Sequence, residues 1–279
     1  MQNITTIEAN DRAPRIVQSP STLPSTGTAV SKDGTPIAFD RIGNGPPVIL
    51  VDGALCYRGM GQSGQLAELL APYFTVFTYD RRGRGGSGDT APYAVEHEIE
   101  DIAALLSEAG SAAFLWGISS GAVLALEAAN RLKAIKKLAL YEAPFIVDDS
   151  RSTTERDWTK IAEAVRFFLK SVGVPAIFVV VMPLMPMWSK VKAIAHTLLY
   201  DRAIVGDNQR GKPLPGGRWA SVTVPALVMD GGKSREWMHH GNRSLASALP
   251  NARYQTLEGQ THMLKPKAHA PILLEFFKD

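Results

Sequence analysis

The chain has 279 residues, of which 45% are hydrophobic and 20% are charged, and its formal net charge at pH 7 is only +3. This composition is ordinary for a globular protein, and the length suits one large α/β core with an insertion. Lysine and arginine are scattered rather than gathered in a basic stripe, so nucleic-acid binding is not indicated. A single cysteine, Cys56, excludes an intramolecular disulfide framework and favours a reducing compartment.

The N-terminal residues 1–27 are polar and lack the basic start and apolar core of a secretory signal. We expect them to form a loosely ordered tail. The longest apolar run, residues 172–188, contains three prolines and is too short and too interrupted to span a membrane. No membrane association is therefore expected, and the cytoplasm is the expected location.

Two regions, residues 28–144 and 223–279, alternate between short apolar runs and segments with helical spacing. The apolar runs predict strands at residues 28–31, 36–42, 48–51, 75–79, 112–116, 136–141, 225–229 and 252–257. The helical spacing predicts helices at residues 62–71, 95–108 and 237–249, one that ends near Leu132 and one that ends near Phe277. This alternation favours an α/β fold with a mostly parallel sheet covered on both faces by helices.

Residues 145–222 break the alternation and predict a helical lid inserted between two strands. Helices are predicted at residues 155–171 and 190–200, over the carboxyl edge of the sheet, where α/β sites are found. Four apolar side chains of this lid fit two roles equally well, either lining a substrate pocket or packing the lid against the core. They are Phe178, Met182, Met185 and Met187.

The loop at residues 80–88 is dense in glycine and arginine. It lacks the Gly-Lys-Ser/Thr of a phosphate-binding loop, and it does not lead directly into a helix as a dinucleotide-binding turn does. We interpret it as a structural turn whose arginines pair with nearby carboxylates such as Asp80. No cofactor is predicted, and no metal site either, because no histidine or cysteine cluster has the spacing of metal ligands.

One stretch carries the chemistry, a Gly-x-Ser-x-Gly turn formed by Gly117, Ser119 and Gly121. An apolar run that predicts a strand precedes it, and an Ala- and Leu-rich helical segment follows it. A tight strand-to-helix turn of this kind exposes a serine hydroxyl and needs small residues on both sides of it. The first N–H groups of the helix then favour negative charge that develops near the serine.

With this turn, a Tyr79–Gly83 segment and a late Gly-Gln-Thr-His that ends in His262, the sequence resembles the α/β-hydrolase superfamily over residues 28–279. The resemblance implies an α/β-hydrolase fold with an inserted helical lid. It implies that Ser119 is the nucleophile and His262 its general base. The other histidines are interpreted as solvated or capping residues: His97, His196, His239, His240 and His269.

The acid of the triad departs from the common pattern of the family. Many members place an aspartate in a Gly-x-x-Asp turn after the strand predicted at residues 225–229, but here that turn ends in Ser234. Two candidates remain. Asp230 falls at the end of the strand, which is early for reaching the histidine. Glu142 follows the strand after the nucleophile helix, where some members carry the acid, and we favour it as the third catalytic residue.

The oxyanion hole is predicted from the same resemblance. One donor is the backbone N–H of Ser120, and the other is the backbone N–H of Ala54, in the turn after the strand at residues 48–51. Many members carry His-Gly at the start of this turn, whereas this chain carries Asp52-Gly53. We expect the Asp52 side chain to point away and to bond locally, although a substrate contact is also open.

The sequence thus predicts a cofactor-independent serine hydrolase that cleaves an ester or lactone of a small, largely apolar substrate through an acyl-enzyme. The Asp52-Gly53 pair, the Ser119 turn and Glu142 together look like a subgroup that includes zearalenone-type lactonases. Fold and triad leave other functions open. These are carbon–carbon bond hydrolysis, cofactor-free oxygen chemistry and a hydrolase-like receptor with little turnover.

Overall fold

The computed structural model describes residues 24–110, 112–151, 161–171 and 174–279. Within these residues the chain forms eight strands: β1 (Ser25–Val30), β2 (Pro36–Ile42), β3 (Pro47–Val51), β4 (Thr75–Tyr79), β5 (Ala113–Ile118), β6 (Ile135–Tyr141), β7 (Ala226–Gly231) and β8 (Ala252–Leu257). They form one sheet in the order β1-β2-β4-β3-β5-β6-β7-β8. The pairs β1–β2 and β2–β4 are antiparallel, and the other pairs are parallel.

The same described residues contain nine α helices: α1 (Ser63–Leu70), α2 (Val95–Glu108), α3 (Ser120–Arg131), α4 (Ile161–Ser171), α5 (Ala176–Val181), α6 (Met187–Ile194), α7 (Leu198–Val205), α8 (Glu236–Ala248) and α9 (Pro266–Lys278). Helices α4 to α7 lie between β6 and β7 in the chain, and the others connect or follow strands. None of these helices has both the length and the hydropathy needed to cross a bilayer.

The sheet separates two layers of apolar side chains. In β3, Val48 and Leu50 face a core that contains Leu66 of α1 and Leu273 of α9. The alternate residues Ile49 and Val51 face the core formed with α2, α3 and α8. Successive side chains of a strand point to opposite faces, so a strand that is covered on both sides must be apolar throughout. This packing explains the unbroken apolar runs of the central strands.

The inserted segment, residues 145–222, packs over the turn that follows β3. Val165 of α4, Val191 of α6 and Leu198 of α7 form a small apolar cluster with Ala54 and Leu55. The turn lies at the carboxyl end of β3, because Ala54 follows Val51 in the chain. The insertion therefore covers the edge of the sheet where α/β enzymes carry their sites.

Most predicted elements are confirmed within a few residues, and two differ. The first strand begins at Ser25, so residues 25–27 belong to β1 rather than to the predicted tail, whose residues 1–23 lie outside the described residues. The predicted helix 190–200 is broken, because α6 ends at Ile194 and a 3₁₀ turn, Ala195–Thr197, precedes α7. The buried Thr197 hydroxyl donates to the Ile194 carbonyl at 2.7 Å, a local bond that competes with helix propagation. Of the predicted helix 155–171, residues 155–160 lie outside the described residues.

Candidate active site

Ser119 lies in a strained turn between β5 and α3. Its backbone has φ 57° and ψ −128°, which is an uncommon conformation for a residue that has a side chain. Its N–H donates to the Tyr141 carbonyl at 2.9 Å, so the turn is fastened to the end of β6. This is the geometry that the Gly-x-Ser-x-Gly pattern predicts.

The two glycines of the turn leave room for the neighbouring backbone. A Cβ atom at Gly121 would lie 2.3 Å from the Val51 carbonyl oxygen, and one at Gly117 would lie 2.5 Å from the Gly121 carbonyl oxygen. Both distances are shorter than any normal contact. The close approach of α3 to the ends of β3 and β5 therefore requires glycine at both positions.

Glu142 and His262 form a hydrogen-bonded pair. Nδ1 of His262 lies 2.7 Å from Oε2 of Glu142. Glu142 is fully buried directly after β6, whereas the His262 side chain, in the loop between β8 and α9, is 18% exposed. A carboxylate oxygen next to Nδ1 favours the histidine tautomer with its proton on Nδ1, and that tautomer leaves Nε2 as an acceptor.

The second oxygen of Glu142 is held by groups from β7 and the loop after it. Oε1 accepts a hydrogen bond from the Gly231 backbone N–H at 2.8 Å and another from the Ser234 hydroxyl. Ser234 occupies the position where the family resemblance places an acid. Here the serine orients a glutamate that comes from the neighbouring strand.

The alternative acid, Asp230, is engaged elsewhere. Its side chain is fully buried, Oδ2 lies 2.8 Å from Nδ1 of His239, and the same oxygen accepts a hydrogen bond from the Tyr254 hydroxyl. His239 and Tyr254 belong to α8 and β8. The Asp230 side chain therefore points toward α8. It pairs with His239, whereas Glu142 pairs with His262.

A cavity of about 340 Å³ brings the predicted site together. Its walls include all five predicted site residues: Ala54, Ser119, Ser120, Glu142 and His262. The volume lies in the range of small-molecule sites. Its apolar lining comes from the inserted segment, from α8 and its loop, and from the loop after β8: Phe167, Phe168, Leu198, Val205, Trp237, Met238 and Met263.

The four lid residues singled out from the sequence do not line this cavity. Met182 is buried, but Phe178, Met185 and Met187 are 54%, 41% and 39% exposed. These three side chains therefore neither line the cavity nor pack against the core, the two roles considered from the sequence. The apolar wall is supplied by Phe167 and Phe168 of α4 instead.

Comparison with known proteins identifies the family of this chain. A sequence model of the alpha/beta hydrolase family matches residues 33–270. The chain belongs to the α/β hydrolase family. An alpha/beta hydrolase from Sphaerobacter thermophilus, known from its crystal structure, is 52% identical with a TM-score of 0.80, and the match covers 90% of this chain and 100% of that one.

Two further relatives carry named activities. The enol-lactonase from Burkholderia xenovorans LB400 is 21% identical with a TM-score of 0.68, covers 91% of this chain and 100% of its own, and shares the fold. A pimeloyl-[acyl-carrier protein] methyl ester esterase from Xanthomonas campestris is 36% identical over 106 residues. That match spans 38% of this chain and 40% of the esterase, so it covers less than half the length of this curated relative.

In this α/β hydrolase, two arginines of the loop after β4 hold the turn that contains Ala54. Nη1 of Arg84 donates to the Gly53 carbonyl at 2.7 Å, and Nη1 of Arg81 donates to the Asp52 carbonyl at 3.2 Å. The Gly53 carbonyl and the Ala54 N–H belong to the same peptide unit. Arg84 therefore fixes the plane of the N–H that we predict as an oxyanion donor.

Asp201 of α7 ties these arginines to the inserted segment, and sequence reasoning missed it. Its carboxylate accepts hydrogen bonds from Arg81 at 2.8 Å, from Arg84 at 2.7 Å and from the Ser120 hydroxyl at 2.7 Å. Burial by itself would raise the pKa of Asp201, but the charges of Arg84 and Arg81 outweigh it and hold the pKa below its usual value.

The arginines of this loop pair with carboxylates as predicted, Arg81 with Glu98 and Arg82 with Asp101, but the example given from the sequence, Asp80, was wrong. Asp80 pairs with Arg58, whose Nη2 lies 3.1 Å from Oδ2 of Asp80. The same oxygen accepts the Gly86 N–H at 2.8 Å, so Asp80 closes its own loop. Asp80 therefore pairs with none of the three arginines of this loop, whereas Asp201, more than a hundred residues later, pairs with Arg81 and Arg84.

Two other acidic groups near the turn that contains Ala54 have raised pKa values. Burial raises the pKa of Asp52, although a hydrogen bond from Ser63 and the charges of Arg84 and Arg81 oppose this shift. The bond from Ser63, the first residue of α1, matches the expectation that Asp52 bonds locally. Burial also raises the pKa of the Cys56 thiol to about 12, with Asp52 as the second cause. Cys56 therefore lacks the thiolate that a nucleophile needs at neutral pH.

The described part of the chain contains no group of three or more His, Cys, Asp or Glu side chains placed to hold a metal ion.

Proposed function

We propose that this α/β hydrolase is a serine hydrolase that cleaves a carboxylic ester or a lactone of a small substrate through an acyl-enzyme. The observation that carries the proposal is the Glu142–His262 pair, 2.7 Å between Oε2 and Nδ1, in the wall of the same cavity as the strained Ser119. Relatives that include an enol-lactonase and a methyl ester esterase support the same reaction class.

In the proposed reaction, Oγ of Ser119 attacks the ester carbonyl carbon while Nε2 of His262 accepts the serine proton. Glu142 holds the opposite ring nitrogen and stabilises the imidazolium that forms. The carbonyl oxygen becomes an oxyanion that accepts hydrogen bonds from the Ala54 and Ser120 N–H groups.

Collapse of this intermediate breaks the C–O bond, and His262 returns the proton to the leaving oxygen. A water molecule, deprotonated by His262, then attacks the acyl-enzyme and releases the acid, with the proton returning to Ser119. In a lactone the leaving oxygen stays attached to the acyl chain, so one hydroxy acid is released.

Active-site labelling with a fluorophosphonate probe tests the nucleophile. We expect the wild-type protein to be labelled and to release product from short aryl esters or lactones, whereas Ser119→Ala protein should be neither labelled nor active. The matched control is Ser189→Ala. It replaces a serine of the inserted segment whose hydroxyl donates a hydrogen bond to the Pro186 carbonyl. Equal labelling of wild type and Ser119→Ala, or ligand binding without turnover on every substrate, would reject the proposal.

A further inference from the structure

The cavity carries more positive charge than the proposed reaction uses. Four of its lining residues are basic: Arg151, Arg202, Lys233 and Arg235. Arg151 follows β6, Arg202 lies on α7, and the other two belong to the loop between β7 and α8. The acidic side chains described in the same wall are Glu142 and Asp201, and both are already engaged, with His262 and with Arg81 and Arg84 respectively.

Three of these cations have no carboxylate partner in the described part of the chain: Arg151, Lys233 and Arg235. The interior arginines are different, since Arg81, Arg82 and Arg84 all form ion pairs with buried carboxylates. Exposed cations such as Lys233 commonly lack a partner, but Arg151 is partly buried. A partly desolvated guanidinium beside another one is an unfavourable arrangement unless an anion neutralises it.

Arg151 contacts an aromatic ring instead of a carboxylate in the described part of the chain. Its guanidinium lies over the Trp237 ring, 4.2 Å from the ring centroid. Arg151 and Arg235 line the same cavity, and burial lowers the pKa of Arg151, with the positive charge of Arg235 lowering it further. Trp237 lines the cavity as well, and a guanidinium that stacks on a ring by its face can still donate hydrogen bonds from its edge.

We propose that this cavity binds esters or lactones that carry a free carboxylate, and that Arg151 and Arg235 bind that carboxylate. This inference rests on the proposed hydrolase function and names the substrate class of the same site. Two planar guanidinium groups match the planar, bidentate geometry of a carboxylate. The apolar wall would contact the carbon chain between the carboxylate and the ester bond, and the cavity of about 340 Å³ suits a small molecule of this kind.

A matched pair of substrates tests the inference, the mono-4-nitrophenyl ester of adipic acid and the neutral 4-nitrophenyl hexanoate. We expect wild-type protein to favour the acidic ester by at least tenfold in kcat/KM. Arg151→Gln and Arg235→Gln should each lower this ratio about tenfold, mainly through a higher KM for the acidic ester. Arg253→Gln, which changes an exposed arginine beside Asp279, is the matched control and should leave the ratio unchanged.

A ratio near one in the wild type, or a ratio that neither cavity substitution changes, would overturn the inference. Direct binding of adipate to Ser119→Ala protein, measured by calorimetry, separates this result from a failure of the hydrolase function. In that protein Arg151→Gln should weaken adipate about tenfold even if no ester is ever cleaved. Equal adipate affinity with and without Arg151, or tighter binding of inorganic phosphate than of adipate, would reject the carboxylate assignment.

Discussion

At the scale of single residues, three neighbouring strands are each followed by a turn that contains a residue with a strained backbone, and none of these residues is glycine. In the described part of the chain, the residues other than glycine with positive φ are Leu55, Ser119 and Glu142. They follow β3, β5 and β6, which are adjacent in the sheet. Each such conformation costs about 1–3 kcal/mol and persists only where the surroundings impose it. The strain therefore coincides with the predicted oxyanion turn, the proposed nucleophile and the proposed acid.

Glu142 is the proposed acid of the triad. In Glu142→Gln the amide oxygen can still accept the Gly231 N–H, but the side chain no longer carries the charge that stabilises a protonated His262. We expect kcat to fall about 10⁴-fold, the effect seen when a triad carboxylate becomes an amide. Steady-state kinetics on any accepted ester measures it. Thermal unfolding of the same variant shows whether the fold is kept.

Asp230→Asn provides the comparison for this variant. Asp230 is also fully buried at the end of a strand, but it pairs with His239 rather than with His262. We expect its kcat to stay within about tenfold of the wild type. The reverse pattern, a large loss in Asp230→Asn and a small one in Glu142→Gln, would assign the acid to Asp230.

At the scale of elements, helix α7 connects the inserted segment to the turn after β3. Asp201 receives both Arg81 and Arg84, and these arginines hold the carbonyls of Asp52 and Gly53. Ser120, the first residue of α3, donates to the same carboxylate. The buried Asp201 carboxylate is thus linked to both predicted oxyanion donors. The arginines connect it to the turn that contains Ala54, and the Ser120 hydroxyl connects it to the start of α3.

Replacement of this carboxylate should affect both stability and rate. In Asp201→Asn, Arg84 loses the only carboxylate that pairs with it among the described residues. Loss of one partner from a buried ion pair destabilises by about 3–5 kcal/mol, which urea unfolding measures. We also expect kcat to fall more than KM rises, because the oxyanion donors act in the transition state.

A second aspartate of the inserted segment gives the control. Asp207 forms an exposed pair with Arg210, in which both side chains are more than 60% exposed. Asp207→Asn should leave the unfolding midpoint and kcat unchanged, since exposed pairs contribute little. If Asp201→Asn behaved in the same way, α7 would not hold the oxyanion turn.

At the scale of the whole molecule, a histidine of α9 is buried in the layer that α1 and α9 form against the sheet. His269 was interpreted from the sequence as a surface or capping residue, but it is fully buried. Its Nδ1 donates to the Lys265 carbonyl at 3.0 Å, and its ring packs edge-on against Tyr141 at 4.4 Å between centroids. Burial lowers the pKa of His269, although the Lys265 carbonyl and the charge of Glu142 act in the opposite direction.

This burial predicts a pH dependence of folding stability. Because the pKa of His269 is lower in the folded protein than its unfolded value of about 6.5, the unfolded chain binds a proton that the folded protein excludes. The free energy of unfolding should therefore fall as the pH decreases below about 6.5, by up to about 1.4 kcal/mol for each pH unit. Above that pH, His269 is neutral in both states and contributes no slope.

Urea unfolding at several values between pH 5 and pH 8 measures this dependence, with His269→Asn as the comparison. Asparagine keeps a donor for the Lys265 carbonyl and does not titrate. We expect the wild-type curve to fall more steeply than the variant curve below about pH 6.5, because the other titrating groups contribute to both. Parallel stability curves for the wild type and the variant would mean that the pKa of His269 is not lowered in the folded protein.

The amino-acid sequence by itself determined the alternation of strands and helices and the position of the serine turn. Both follow from short-range rules, such as an apolar run that suits a buried strand or two glycines that flank a serine. The strand at residues 36–42 and the helix at residues 95–108 agree with β2 and α2. Local patterns therefore predicted the fold class, the order of its elements and Ser119 as the candidate nucleophile.

Only the tertiary structure decided which charged groups meet. Glu142 follows the end of β6 and contacts His262, whereas Asp230 lies within β7 and contacts His239 of α8. Likewise, Asp201 pairs with Arg81 and Arg84, whereas Asp80, the carboxylate next to them in sequence, pairs with Arg58. Partners separated by about a hundred residues are set by packing and by the cost of burying an unpaired charge, and no local pattern records either of these.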